Sequence, residues 1–329
     1  MIDIRQLRYF AQIVESGSLA RASRQLSVVQ PALSQQIAKL EEDIGRPLLV
    51  RSSRGVTPTQ NGTALYHHAK FVLRQLDQAV AVARQDRAAL TGCVSVGLAP
   101  TTNCQLGLPL LQHMRQRLPG VMVNVIEGMS IHLEQMAHAG ELDLAILFRR
   151  KAAGELDFEP LLEEELFVIL PADSPLVPPG AASLTLAQAA RLPLIMPSTD
   201  HGLRRRIMAE FDHANVPFDA AAEVDSLPLL MRCLADGMGA TIKPMAAIHS
   251  WREPEYWRVL PIADARMHRL NLLYSLPDEK LSPCAAAVRD ELRLLVRELV
   301  ASGRWDGVRV PGHEPCPGEP AQAEAADAG

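Results

Sequence analysis

No apolar run approaches the roughly 20 residues needed to cross a bilayer. The longest, Leu192 to Met196 and Leu270 to Leu276, stop far short, so no membrane span is predicted. The opening Met1-Ile2-Asp3-Ile4-Arg5 has neither the basic stretch nor the apolar core of a secretory signal, and a cytoplasmic protein is expected. Five cysteines (Cys93, Cys104, Cys233, Cys284, Cys316) form no CxxC pair and read as reduced thiols. Ten histidines show neither HxxxH nor HExxH spacing, so no metal site is expected. Catalytic motifs are missing too. Gly128-Met129-Ser130-Ile131-His132 lacks the final glycine of a nucleophile elbow, and neither a Walker loop nor GxGxxG follows a strand. The carboxylates Glu163-Glu164-Glu165 read as a solvated turn. An enzyme is not expected, and no cofactor is called for.

What is present is length, apolar content and an uneven charge. With 329 residues and 48% hydrophobic side chains the chain is long enough for two or three folded units. The net charge of −5 divides along it: residues 1–90 hold 12 Lys/Arg against 7 Asp/Glu, leaving 21 against 31 for the remainder. A basic head on an acidic body suits a domain that meets phosphates joined to one that does not.

In the head, Leu7, Phe10, Ala11 and Val14 recur at helical spacing up to Gly17. Ser18 then caps a second helix (Leu19 to Leu26), and after a short turn Pro31 opens a third. There Leu33, Ile37, Leu40 and Ile44 make one stripe, which puts Pro31, Gln35, Ala38 and Glu42 on the opposite face and Ser34 and Lys39 on its flanks. This face is either an ordinary solvated surface or the face of a recognition helix, whose N-terminal residues reach base edges; Gln can bond adenine at two atoms. The segment from Gly45 to Pro58 reads as two strands around a basic turn, a wing from which Arg51 and Arg54 would reach phosphates or a minor groove. Thr57, Pro58 and Gln60 fit N-cap, N1 and N3 of a long helix running to about Leu90. Leu65, Ala69, Val72, Leu76, Ala79 and Ala83 alternate four- and three-residue steps, a seam for a two-helix coiled coil or, alternatively, for packing on the chain's own C-terminal part.

Leu7-Arg8-Tyr9-Phe10, Gly17-Ser18-Leu19, Ala22-Ser23, Gln30-Pro31-Ala32-Leu33-Ser34, Leu40-Glu41, Leu48-Leu49-Val50-Arg51 and Thr57-Pro58-Thr59 with Gly62 together resemble the signature of LysR-type transcriptional regulators. Leu49 stands where that family often has Phe, and Val29 where a small polar residue is common. Arg54 to Thr59, Leu65 to Ala69, Leu73-Arg74-Gln75 and Val96 to Pro100 resemble, more narrowly, the nitrogen assimilation control branch, described as acting without a small-molecule effector. The resemblance implies double-stranded promoter DNA as ligand, a homodimer or homotetramer, and activation or repression through RNA polymerase. Its expected DNA contacts are Ser18, Gln30, Pro31, Ala32, Ser34, Gln35, Lys39, Arg51 and Arg54.

After Gly92, strand-like and helical runs alternate in a βαβαβ pattern and then a second α/β set, so two α/β units with parallel sheets are expected; the family resemblance implies that the chain returns from the second unit to complete the first, with crossovers near residues 162 and 267. The predicted architecture is an all-α winged helix-turn-helix over 1–62 with a long linker helix over 58–91. An α/β body over 92–302 follows, similar to a periplasmic binding protein. Its first subdomain is 92–162 plus 267–302 and its second 163–266; a disordered acidic tail occupies 303–329. Residues at the carboxyl ends of the strands (Thr101, Thr102, Met129, Ser130, Phe148, Thr199 and Asp200) are the candidate effector contacts, suited to a small anion or polar acid. Because Ser, Thr and Asp are also the preferred N-caps, the same positions can be read as plain helix starts.

Overall fold

The computed structural model describes residues 2–52, 55–84, 90–148, 156–199, 201–250 and 253–311. Helix α1 (Ile4–Ser16) is opened by a reciprocal cap: the Asp3 carboxylate accepts from the Arg5 amide at 3.0 Å while the Gln6 side chain accepts from the Asp3 amide at 2.9 Å. Gly17, at a φ of 63°, closes it in the left-handed conformation that glycine tolerates best. Ser18 caps α2 (Leu19–Leu26), and Pro31 sits in the first turn of α3 (Gln30–Ile44). Leu33, Ile37 and Leu40 are fully buried against Phe10, Ile13 and Ala22. Ile13, outside the predicted α1 stripe, is buried, whereas Leu7 and Val14 are half-buried, because α1 packs on both α3 and the linker helix.

Strands β1 (Leu49–Ser52) and β2 (Gly55–Pro58) form the antiparallel wing, with Arg51 opposite Val56. The Glu41 carboxylate accepts from the Leu48 and Leu49 amides (2.7 and 3.1 Å) and so fixes the wing's entry to α3. A Cβ at Gly55 would lie 2.6 Å from the Gly17 carbonyl, so glycine lets the wing lie against the end of α1. The linker helix α4 (Gln60–Arg84) starts later than its predicted cap. Thr57 and Pro58 are engaged in β2, and Thr59 caps instead, its hydroxyl accepting from the Gly62 amide at 3.0 Å. The predicted α4 stripe divides. Leu65 joins the head's own core and Ala69 is buried, while Val72 is 41% exposed; the side chains of Ala79 and Ala83 lie outside the described residues. Tyr66 and Lys70 both reach Glu15 of α1 (3.2 and 2.5 Å), and His67 meets Glu141 of the body.

The body begins with β3 (Gly92–Leu98), α5 (Pro100–Arg117), β4 (Val121–Glu127), α6 (Ser130–His138) and β5 (Leu144–Leu147), whose strands pair in parallel as β4-β3-β5. Helix α5 carries Gly107 and Pro109 within it. Then comes β6 (Asp157–Pro171), a strand of 15 residues that serves two sheets. Its first part pairs with β11 (His268–Ser275), and from Leu166 onward it pairs with β9 (Thr241–Pro244) and β10 (Trp257–Pro261). The exchange therefore falls between Glu165 and Leu166, slightly beyond the expected residue 162. The second lobe adds α7 (Leu186–Ala189), β7 (Ile195–Met196), α8 (Gly202–His213), β8 (Ala222–Glu223) and α9 (Leu227–Ala235). Helix α10 (Pro283–Ala301) returns to the first lobe, burying Val288, Leu292, Val296 and Leu299 under its sheet.

Two expectations fail here. Glu163-Glu164-Glu165 is no solvated turn: it lies within β6, and the Glu164 side chain is only 1% exposed. The tail does not begin at residue 303 either. Trp305 is 2% exposed in the first lobe's core, and β12 (Val308–Arg309) pairs with β6 at Glu163 and Glu164. One large apolar side chain offsets the polar, glycine-rich composition around it. Residues 312–329 lie outside the described residues.

Candidate nucleic-acid interface and inter-lobe cleft

The head presents one continuous polar face. Gln30, Pro31, Gln35 and Lys39 are exposed along α3, with Ala32 and Ser34 half-buried beside them. The stripe of apolar residues on the other side of α3 is anchored in the core, so these side chains have no route inward. Ser34 ties the helix to the wing: Arg51 Nη1 donates to its hydroxyl at 3.1 Å. Ser18 is occupied as the α2 cap, its hydroxyl accepting from the Arg21 amide at 3.4 Å. Arg54 lies outside the described residues. Sequence reasoning passed over Arg21 and Arg24, both exposed on α2; Val29, noted as a departure from the family pattern, is 71% exposed at the start of α3. A helix with amides and small side chains at its N-terminal end, braced by a cationic strand, is the kind of element a major groove admits.

Of the candidate effector residues, Thr101, Met129, Ser130 and Phe148 come together between the lobes, at the carboxyl ends of β3, β4 and β5. None of them is there as a side-chain cap. Ala99 and Met129 occupy the N-cap positions of α5 and α6 without side-chain cap bonds, so the capping explanation for Thr101, Thr102 and Ser130 falls away. Thr102 is fully buried with its hydroxyl unpartnered. Thr199 lies elsewhere, beside Arg204 and Arg205 on α8, and Asp200 and Arg149 fall outside the described residues.

The centre of this cleft is built from residues that the sequence did not single out. Arg269 is 5% exposed; its Nε and Nη2 both donate to Glu164, the former at 2.7 Å, and Nη2 also donates to the Thr101 hydroxyl at 3.2 Å. The Phe148 ring lies 3.6 Å from the guanidinium carbon. Lys243, buried in β9, is pushed down to about 7 by burial and then by the Arg269 charge. His201, the N-cap of α8, falls to about 4, again through burial first and the Lys243 and Arg269 charges after it. Its neutral Nδ1 accepts from the Leu203 amide at 3.1 Å. The Asp225 carboxyl is held below its ordinary range chiefly by the Ser198 amide, at 2.9 Å. The space enclosed among Thr101, Ser130, His201 and Lys243 is only about 20 Å³, close to the room one water needs. A wider cleft of about 430 Å³ opens beside it, bounded by Ser130, Phe148, Arg206, Arg266 and Arg269. No local signal could have marked Arg269 and Glu164, which are far apart in the chain and meet only across the β6–β11 pairing.

Two family descriptions match the chain: "Bacterial regulatory helix-turn-helix protein, lysR family" over residues 4–63, and "LysR substrate binding domain" over residues 87–296. Among curated proteins it is similar to the nitrogen assimilation regulatory protein nac of Klebsiella aerogenes, 36% identical over 90% of this chain and 95% of that one. The protein of the same name from Escherichia coli is 33% identical, covering 92% and 98%. Among solved structures, full-length OxyR from Pseudomonas aeruginosa superposes with a TM-score of 0.71 at 23% identity, covering 90% of this chain and 95% of that one. CbnR, described as a LysR family transcriptional regulator, does so at 0.67 and 20%, covering 90% and 99%.

Proposed function

Because the chain belongs to the LysR family of DNA-binding transcriptional regulators, we propose that it acts in the cytoplasm on promoters of nitrogen metabolism genes, as the names of its nac relatives indicate. Gln30, Pro31, Ala32, Ser34, Gln35 and Lys39 meet bases or the adjoining backbone, with Ser18, Arg51 and Arg54 on phosphates. The observation that carries this reading is the exposed N-terminal face of α3 braced to the wing through the Arg51–Ser34 bond. Domain limits follow the same reading: a head over 1–62, a linker helix behind it and a two-lobed regulatory body to residue 311. Two heads are joined through the part of α4 beyond Ala69, where Val72 and Val80 are exposed in a single chain, and the dimer or tetramer engages RNA polymerase. Footprinting at rising salt tests the reading. A protected promoter site whose affinity falls steeply with salt is expected; no protected site, or affinity indifferent to salt, would sink it.

The innermost space of the cleft leaves room for only about 20 Å³, and the Arg269 that lines it is already paired with Glu164, which favours regulation without a small-molecule effector. One observation supports a second reading, an anion-gated regulator: at the buried Lys243 the Arg269 charge outweighs that of Asp225, so a further anion in the cleft would favour the charged amine. Footprints with and without small carboxylates decide between them, since a ligand-dependent footprint would overturn effector independence.

A further inference from the structure

Helix α8 presents two different faces. On one, Arg206 donates to the carbonyls of Arg266 (2.6 Å) and His268 (2.9 Å) and to Glu210 (2.6 Å), so every part of that guanidinium is engaged at the hinge between the lobes. Arg204, two residues earlier, faces away from the cleft and has no such provision. It is 7% exposed, and its Nε and Nη1 are buried without a hydrogen-bond partner. The Phe218 ring lies 4.8 Å from its guanidinium carbon, braced in turn by Phe211 at 4.9 Å. A cation–π contact offsets part of the desolvation of a buried cation, but it satisfies none of the N–H donors in the guanidinium plane. Buried donors without acceptors are rare in native proteins.

Arg204 also lines a cavity of about 300 Å³ along the outer face of α8, together with Thr199, Arg205, Met208, Ala209 and Asp212. This cavity shares no lining residue with the inter-lobe cleft. Its lining combines two arginines and a threonine with the first turn of a 12-residue helix, whose positive end favours negative charge. Asp212, two turns further on, repels a second negative group and limits the ligand to a compact one. We propose that this pocket is a second ligand site of the body, binding a small oxyanion, a phosphate or a carboxylate, with Arg204 and Arg205 as its cationic arms.

The full-length protein titrated calorimetrically with inorganic phosphate and, separately, with succinate at constant ionic strength tests the assignment. Saturable binding of at least one is expected, phosphate alone marking a phosphate site and succinate alone a carboxylate site. Arg204→Gln should weaken it by about tenfold or more, as loss of a charged hydrogen-bond partner does. Arg205→Ala and Thr199→Ala, at exposed positions that keep the fold, should weaken it several-fold even if Arg204→Gln fails to fold. Ser130→Ala, in the cleft, should leave it unchanged. Absence of saturable binding by either anion at about a hundred times a 0.1 mM dissociation constant, unaltered binding in the Arg205 and Thr199 variants, or loss through Ser130→Ala would each overturn the proposal. Promoter footprints recorded on the same variants report separately on DNA binding, so failure here leaves that reading standing.

Discussion

The head and the body handle charge in opposite ways. In the head, Gln30, Gln35 and Lys39 of α3 stay at the surface over an apolar floor of Leu33, Ile37 and Leu40, and Arg21, Arg24 and Arg51 stand in solvent. In the body, Arg269, Glu164, Lys243 and Arg204 are buried, and of these Arg269 and Glu164 pair with each other. Surface charges can be changed with small effects on stability and large effects on what is bound. Buried charges carry the reverse weighting, since removing one partner strands the other.

The largest expected effect follows from breaking the pair in the body. Glu164→Leu leaves Arg269 buried and unpaired, and should lower unfolding stability by about 3–5 kcal/mol in denaturant titrations. Combining it with Arg269→Met should recover most of the loss; failure to recover would show that the pair does more than neutralise itself. Trp305→Ala belongs in the same range, about 3–5 kcal/mol, if the segment after α10 is as integral as its burial indicates. A loss under about 1 kcal/mol would return that segment to the status of a tail.

Lys243 gives a pH test of intermediate size. Its amine is lowered from 10.5 to about 7, so between those values the unfolded chain binds more protons and stability rises with pH; below about pH 7 the full cost of the buried charge is felt. Denaturation midpoints should therefore climb from pH 7 toward 10, and the slope should flatten in Lys243→Met. An equal slope in both proteins would place its origin elsewhere. For the head, Gln35→Ala should cost about 1–3 kcal/mol of discrimination between promoter and random DNA, read by competition binding, with little change in stability. Arg51→Ala should have the smallest effect, weakening all DNA alike and reducing the salt slope by about one. If Arg51→Ala altered sequence preference instead, the division between wing and helix would be wrong.

The same contrast explains how much could be read from the sequence. The head was legible because its signals are local: helical spacing in α1 to α3, a serine cap at Ser18, a proline in the first turn of α3. Its misplaced helix start is local as well, since Thr57-Pro58 and Thr59 both precede a plausible helix start and only hairpin pairing with Leu49 and Val50 decides between them. In the body the order of strands and helices was legible from alternating patterns, whereas the cleft was not. Three consecutive glutamates look solvated until Arg269 arrives from β11 to neutralise the middle one. Thr199 was grouped with Thr101 because both follow strands, but the two hydroxyls line different cavities. Trp305 was hidden by the composition of its neighbours.

Strand β6 runs unbroken through both sheets, changing partners between Glu165 and Leu166, where the Glu165 amide donates to the Gly307 carbonyl at 2.8 Å. Mechanically it is an axle. The lobes can turn about it with their sheets intact, but they cannot separate without tearing a strand out of one of them. The segment carrying Trp305 and β12 stays with the first lobe, its tryptophan in that lobe's core and its strand on β6 at Glu163 and Glu164, and it meets the point of exchange only through Gly307.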